Sequence, residues 1–237
     1  MDGKRIYDDG CGIAHAMNLI GERWAILIIR ELLLGPKRFT DLRSGLPGIG
    51  PNMLSQRLRD LEAADVLRRA ALPQPAGSRV YELTAWGAEL KEILAALGQW
   101  GNRTPVIKPS GRVSADSLML GLRTGFRPAG DQSTTATFEI GLGEDRYIVT
   151  VADARIQVER GIAPAPDTVL HTDTDTFKAI MSGEEKLSMA LQAGQATAAG
   201  DLQALERLLA CAGPAPSPAD TPSSSSRDEP AQATSSG

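Results

Sequence analysis

Arg38–Leu67 reads RFTDLRSGLPGIGPNMLSQRLRDLEAADVL, the grammar of two short amphipathic helices joined by a tight Pro/Gly turn. Leu54, Leu58 and Leu61 recur at i, i+4 and i+7, which places them on one buried face of the second helix. Asn52, Ser55, Gln56 and Arg59 fall on the opposite face. Side chains of these types donate to and accept from base edges and phosphates in a major groove. An ordinary solvated helix face has the same composition, so the flanking sequence must decide between the two.

Upstream, Ile13–Ile20 and Arg23–Leu34 carry helical apolar spacing, punctuated by Gly21 and by Gly35-Pro36. Downstream, Val66–Leu72 and Ser78–Leu83 flank the breaker-rich Pro73–Gly77, which predicts two strands and a flexible loop. Thr84 is placed to cap a last helix running to Trp100, with Leu90, Leu94, Leu97 and Trp100 as its apolar stripe. Helix, helix, helix pair, hairpin, helix is the order of a winged helix-turn-helix domain. In that frame Phe39 and Leu42 hold the first helix of the pair on the core and leave Lys37, Arg38 and Arg43 free to meet phosphates. Gly48, Gly50 and Pro51 turn the chain, so the second helix begins with its positive dipole end toward a duplex. Arg79, at the hairpin, is placed to reach the backbone or minor groove. Arg57 projects nearer the core-facing edge; contact with DNA and pairing with Asp60, Glu62 or another acid are equally weighted expectations.

Charge supports the same frame. The 237 residues carry net charge −4, but the average hides an asymmetry. Residues 1–104 hold 14 Lys and Arg against 12 Asp and Glu, while the remainder holds 11 against 17. Lys37–Arg79 alone has 8 basic against 4 acidic residues, a local positive surface on an acidic protein. No apolar run approaches a membrane span, and the N-terminus MDGKRIYDDG lacks the apolar core of a signal peptide. Two cysteines 200 positions apart give neither a disulfide framework nor a metal spacing, so a cytoplasmic protein with free thiols, no metal and no cofactor is expected.

CGIAHAMNLIGERWAILIIRELLLGPKRFTDLRSGLPGIGPNMLSQRLRDLEAADVLRR and RVYELTAWGAELKEILAALGQWG resemble the HxlR-type regulators of bacteria, relatives of the MarR group. LLGPKRFTDL, LSQRLRDLE and YELTAWG are the most specific parts. The resemblance implies a homodimer, built from the first helix and Thr84–Trp100, on palindromic double-stranded operator DNA. Recognition helices of such dimers stand about 34–36 Å apart. On this basis the DNA-binding set is Lys37, Arg38, Asn52, Ser55, Gln56, Arg57, Arg59 and Arg79. Members of the family often carry an N-terminal cysteine, usually followed by proline, that some use to sense oxidants or electrophiles. Cys11 occupies that place, with Gly12 instead of the proline. Lys4, Arg5 and a helix beginning at Ile13 surround it as they would a reactive thiol; the alternative is a small residue buried at the dimer interface. Cys211, in an apolar run, is expected to be plain packing.

Beyond Asn102–Arg112, a Pro-containing linker, the pattern changes. Thr135–Leu142 and Arg146–Ala152 alternate with period two around Gly143-Glu144-Asp145, and Arg155–Arg160 and Thr168–Thr172 read as further strands. Helical patterns follow at Asp173–Met181, Glu184–Leu191 and Asp201–Cys211, giving an α+β domain. The hairpin, VADARIQVERG, PDTVLHTDTDTFKAIMSGE and GQATAAGDLQALERLL resemble the sterol-carrier-protein fold. That resemblance implies an apolar tunnel for a hydrophobic small-molecule effector, without chemistry on it. Phe138, Ile140, Leu142, Tyr147, Val149, Phe177, Leu187 and Leu191 are the expected lining, although each is more often simple core. The expected organisation is a winged helix-turn-helix DNA-binding and dimerisation domain over 1–104, a sterol-carrier-like domain over 105–213, and a disordered tail over 214–237 that contains no large apolar residue. The main expectation is a ligand-responsive transcriptional regulator; the alternative is a redox-responsive one acting through Cys11 with a purely structural second domain. An enzyme fits poorly. His15 and His171 are the only histidines, and no nucleophile elbow or phosphate-binding loop is present. A pure lipid carrier does not explain the basic helix pair.

Overall fold

The computed structural model describes residues 6–71, 77–104, 111–128 and 135–212. Two apolar cores organise them. The first is built by α1 (Gly12–Ile20), α2 (Ala25–Leu32), α3 (Phe39–Gly45), α4 (Pro51–Ala63) and the antiparallel hairpin β1 (Leu67–Ala71) and β2 (Arg79–Leu83). Leu42, Leu46, Leu54, Leu58 and Leu61 converge there on Ile28, Ile29 and Leu32 of α2. Each such side chain contributes roughly 1.5–3 kcal/mol by leaving water. Lys37 adds a one-residue third strand, since its backbone exchanges both hydrogen bonds with Tyr81 of β2. The expected last helix is divided in two, α5 (Ala85–Ala88) and α6 (Leu90–Asn102). Thr84 caps the first piece as expected, its hydroxyl accepting the Gly87 N–H. Gly87 lies against the Val66 carbonyl, where any Cβ would collide.

The second core lies between a five-stranded sheet and four helices. The strands are β3 (Ala136–Leu142), β4 (Asp145–Ala152), β5 (Arg155–Arg160), β6 (Thr168–Thr172) and β7 (Ala196–Gly200), in the order β5-β4-β3-β6-β7. β3 and β6 run parallel and the other pairs antiparallel. Phe138 opposes Val149 and Ile140 opposes Tyr147, so the alternating apolar residues of both strands share one face. Onto it pack α7 (Ala115–Gly125), α8 (Thr174–Ser182), α9 (Leu187–Gln192) and α10 (Leu202–Cys211). Neither α7 nor β7 is foreseen from sequence. The linker expected over Asn102–Arg112 and the tail expected over 214–237 lie partly and wholly outside the described residues.

The two regions meet along α7. Leu34, following α2, joins the second core. Arg123 of α7 pairs with Glu92 of α6, and Gln99 donates to the Thr124 carbonyl at 3.1 Å. No helix among the described residues is long and apolar enough to cross a membrane.

Candidate nucleic-acid interface

Gly50 precedes α4 in an extended conformation and Pro51 occupies its first turn, where a missing N–H costs nothing. With Leu54, Leu58 and Leu61 buried, helical geometry turns Asn52, Gln56 and Arg59 to solvent, and Ser55 is half-buried beside them. Along this face Gln56 is the organiser: its Nε2 donates to Asp60 Oδ1 at 2.8 Å, and its Oε1 accepts from Arg59 at 2.6 Å. Arg59 is thus tethered to Gln56 on the exposed face. Arg38, before α3, and Arg79, at the start of β2, are exposed on the elements flanking α4. Residues 72–76, the rest of the wing tip, lie outside the described residues.

Two members of the expected set are placed differently. Arg57, 15% exposed, pairs with Glu22 at 3.0 Å and with Asp60, so the acid-pairing alternative is the one that forms. It ties α4 to the turn before α2. Lys37 is the larger departure. Its side chain is 7% exposed, and its ammonium lies between Glu31 and Asp116 rather than in solvent. A lysine held by two carboxylates inside the protein is not free to meet a phosphate.

The residues around Lys37 are those sequence reasoning missed. Glu31 interrupts the apolar stripe Ile28, Ile29, Leu32, and a carboxylate at a core position signals a buried partner. Here it has three, accepting from Lys37, from Arg30 at 2.9 Å and from Ser114 Oγ at 2.6 Å. Asp116 Oδ1 accepts from the Tyr147 hydroxyl at 2.6 Å and from Arg160. Burial, then the charge of Asp116, pushes the Tyr147 hydroxyl well above its ordinary range, so it remains a donor. A cleft of about 340 Å³ borders these groups, with Asp41, Arg112 and Asp145 among its walls.

In the second domain, Phe138, Ile140, Leu142, Tyr147, Val149 and Phe177 are fully buried in one packed core; Leu187 is at its margin and Leu191 packs partly against it. A surface concavity of about 370 Å³ opens between the end of α8, the start of α9 and α10, bordered by Ile180, Met181, Leu187 and Leu209. Of the expected lining, Leu187 alone borders it. Cys11 is exposed and caps α1, its Sγ accepting the Ala14 N–H at 3.3 Å. Among the described residues no cluster of three or more His, Cys, Asp or Glu could hold a metal ion.

Residues 19–106 match the HxlR-like helix-turn-helix family, and residues 131–211 match the SCP-2 sterol transfer family. The HTH-type transcriptional regulator YodB of Bacillus subtilis is 35% identical over 88 residues, which are 37% of this chain and 79% of YodB. The chain belongs to the HxlR-like helix-turn-helix family. It is a transcriptional regulator of that type with a sterol-carrier-like α+β domain following the DNA-binding region. YtfH of Escherichia coli, named an uncharacterised HTH-type transcriptional regulator, is 34% identical over 95 residues, 40% of this regulator and 75% of YtfH. The solved structure of the reduced form of YodB from Bacillus subtilis is 33% identical, with 40% of this chain and 95% of that one covered and a TM-score of 0.37.

Proposed function

We propose that this regulator binds palindromic operator DNA as a homodimer and that a hydrophobic small molecule in its C-terminal domain adjusts the binding. Asn52, Ser55, Gln56 and Arg59 read base edges, and Arg38 and Arg79 fix the register on phosphates. Residues 1–104 form the DNA-binding and dimerisation unit, and 105–213 the effector-binding unit. The observation that carries this is α4, which buries three leucines and presents to solvent a polar row organised by Gln56. A row held by its own hydrogen bonds loses less side-chain entropy when it docks. Such a role places the protein with the chromosome, in the cytoplasm.

The dimer is supported by apolar surface that the single chain leaves in water. α6 exposes Ile93, Leu97 and Trp100, the last 70% exposed, and the N-terminal region exposes Ile6, Tyr7 and Ile13. An effector must bind the two DNA-spacing states with different affinity to act at all. The test is a salt series of binding isotherms on a duplex from upstream of the regulator's own gene. Sequence-dependent, salt-sensitive retention that Gln56→Ala weakens mainly at one base position supports the reading; equal binding to scrambled duplex removes it. Operator affinity that stays constant while fatty acyl probes demonstrably bind would leave the second domain a structural role.

A second reading rests on Cys11, an exposed thiol capping α1 next to the apolar surface of Ile13. Oxidation there would disturb the cap and the adjoining interface. Diamide treatment that lowers operator affinity in the wild type and leaves Cys11→Ser unaffected is the expected result; identical responses exclude it.

A further inference from the structure

Charged side chains leave water only when paired, yet the seam between the two folded regions buries Glu31 and Asp116 completely and Lys37 to 7% exposure. The three come from different parts of the fold. Glu31 is on α2, under the helix-turn-helix; Lys37 is in the connection that runs from α2 into α3; Asp116 is in the first turn of α7, in the C-terminal domain. Lys37 Nζ ion-pairs with Glu31 and, at 2.7 Å, with Asp116 Oδ2. Ser114, which caps α7, donates its hydroxyl to the other carboxylate oxygen of Glu31. A Cβ on Gly45, the last residue of α3, would strike the Glu31 carboxylate, so the first helix of the helix-turn-helix rests on the same group.

Lys37 is also where the DNA-reading elements are joined. Its N–H donates to the Tyr81 carbonyl at 3.0 Å, and the Tyr81 N–H donates back at 2.8 Å, so its backbone is part of the wing. The next residue, Arg38, is the N-cap of α3, with its N–H donating to Asp41. At the other end, Asp116 is held by Tyr147 and Arg160, two residues of the sheet, and Tyr147 lies on the apolar inner face among Ile140 and Val149. A chain of hydrogen bonds, joined through the Lys37–Asp116 ion pair, therefore runs from the interior of the C-terminal domain to the corner between wing and α3.

We infer that Glu31, Lys37 and Asp116 form a strut through which the C-terminal domain sets the position of the wing and the helix pair, which makes Lys37 a positioning residue for DNA reading. Net stability is a poor explanation for such a group, because an apolar seam of equal volume would hold the regions together as well or better. Buried charges that must meet their partners accomplish what an apolar seam does not. They favour one docking geometry and penalise sliding. Displacement of Tyr147 or α7 from within the C-terminal domain would pull on Asp116 and, through Lys37, on β2 and α3 together. The inference rests on the DNA-binding reading above, and its test has one readout that does not.

Full-length protein and the variants Lys37→Met, Asp116→Asn and the pair combined are measured by hydrogen exchange and by fluorescence anisotropy on a duplex selected from a random pool by the wild type. A strut predicts faster exchange of the amides in Arg38–Gly45 and Arg79–Leu83 in each single variant. It also predicts affinity about tenfold weaker at unchanged salt slope, and a double variant no weaker than the singles. An Asp116→Asn protein with wild-type affinity and exchange, beside a Lys37→Met protein whose salt slope falls by about one, would make Lys37 a phosphate contact and overturn the inference. Unchanged exchange in both variants also overturns it. If the wild type selects no duplex, the DNA-binding reading fails while exchange still decides whether the strut exists. Should Lys37→Met not fold, Asp116→Asn carries the comparison alone, since it keeps the volume and an acceptor for Tyr147 and Arg160.

Discussion

Arg57 and Arg59 stand two positions apart on α4, and the fold gives them opposite tasks. Arg57 turns back to Glu22 and Asp60; Arg59 leans on Gln56 and faces solvent. Arg57→Ala is therefore expected to lower unfolding stability by about 1 kcal/mol, the scale of a partly exposed ion pair, with the salt slope of DNA binding unchanged. Arg79→Ala should do the reverse. It should leave the urea midpoint alone, weaken specific and nonspecific duplex similarly, and flatten the salt slope by roughly 0.9 for the lost phosphate contact. Paired urea melts and anisotropy titrations distinguish the two, and a flattened slope in Arg57→Ala would return it to the DNA. Helical periodicity separates the leucines of α4 from its polar row, but it leaves Arg57 on a boundary. Its partner Asp60 is local and was among the expected acids, whereas Glu22, 35 residues earlier, is supplied by the fold. Lys37 had one local signal, Glu31 at a core position six residues earlier; its second carboxylate, at position 116, is brought beside it only by the fold.

At the scale of elements, period was legible where it is local, and so was the Thr84 cap. Asp173 is a second cap that the fold forms. Its carboxylate accepts the N–H groups of Thr176 and Asp175 and the Thr176 hydroxyl at the start of α8. Those bonds, the Thr176 N–H foremost, hold its pKa below the ordinary aspartate value. A depressed carboxylate stabilises the fold fully above its unfolded pKa and loses that contribution as the pH falls through the folded value. Asp173→Ala is expected to cost about 1 kcal/mol at neutral pH. Asp173→Asn, which still caps, should lose far less while removing this group's share of the acid-side decline. Denaturant melts between neutral pH and about pH 3 read both effects, and an Asn variant as weak as Ala would refute the capping account. β7 escaped because nothing local announces it. α7 did carry local signals, since Ser114 caps it and Ala115, Leu118, Met119 and Leu122 recur at helical spacing, but it follows a Pro-containing segment and carries two glycines. β7, ATAAG, has little intrinsic strand preference and exists because β6 offers it a ladder from Thr168 to Thr172. The break between α5 and α6 falls at Glu89, which keeps a right-handed helical backbone, two residues past the Gly87 that lies against the Val66 carbonyl.

For the whole molecule, the order of helices, hairpin and sheet was readable from periodicity and breakers. The seam was not, because it depends on which surfaces meet. The same distinction sharpens the oligomer question. α6 turns Glu92 and Gln99 to α7, and Leu90 and Leu94 toward the first core, so its inward faces are occupied. Ile93, Leu97 and Trp100 are left in water. Burying an aromatic and two aliphatic side chains against a second copy would contribute several kcal/mol before the cost of association is subtracted, on the order of 1.5–3 kcal/mol for each. A single central charge should therefore divide the dimer without unfolding the chain. Trp100→Glu is expected to show the monomer mass by sedimentation at micromolar concentration, with a thermal transition close to that of the wild type, since Trp100 contributes little to either core. Loss of the dimer should also cost operator affinity steeply while half-site affinity stays near its wild-type value, because each copy contributes one recognition helix. A Trp100→Glu protein that sediments as the wild type does would place the interface on another surface, with the N-terminal region around Ile13 as the next to be charged.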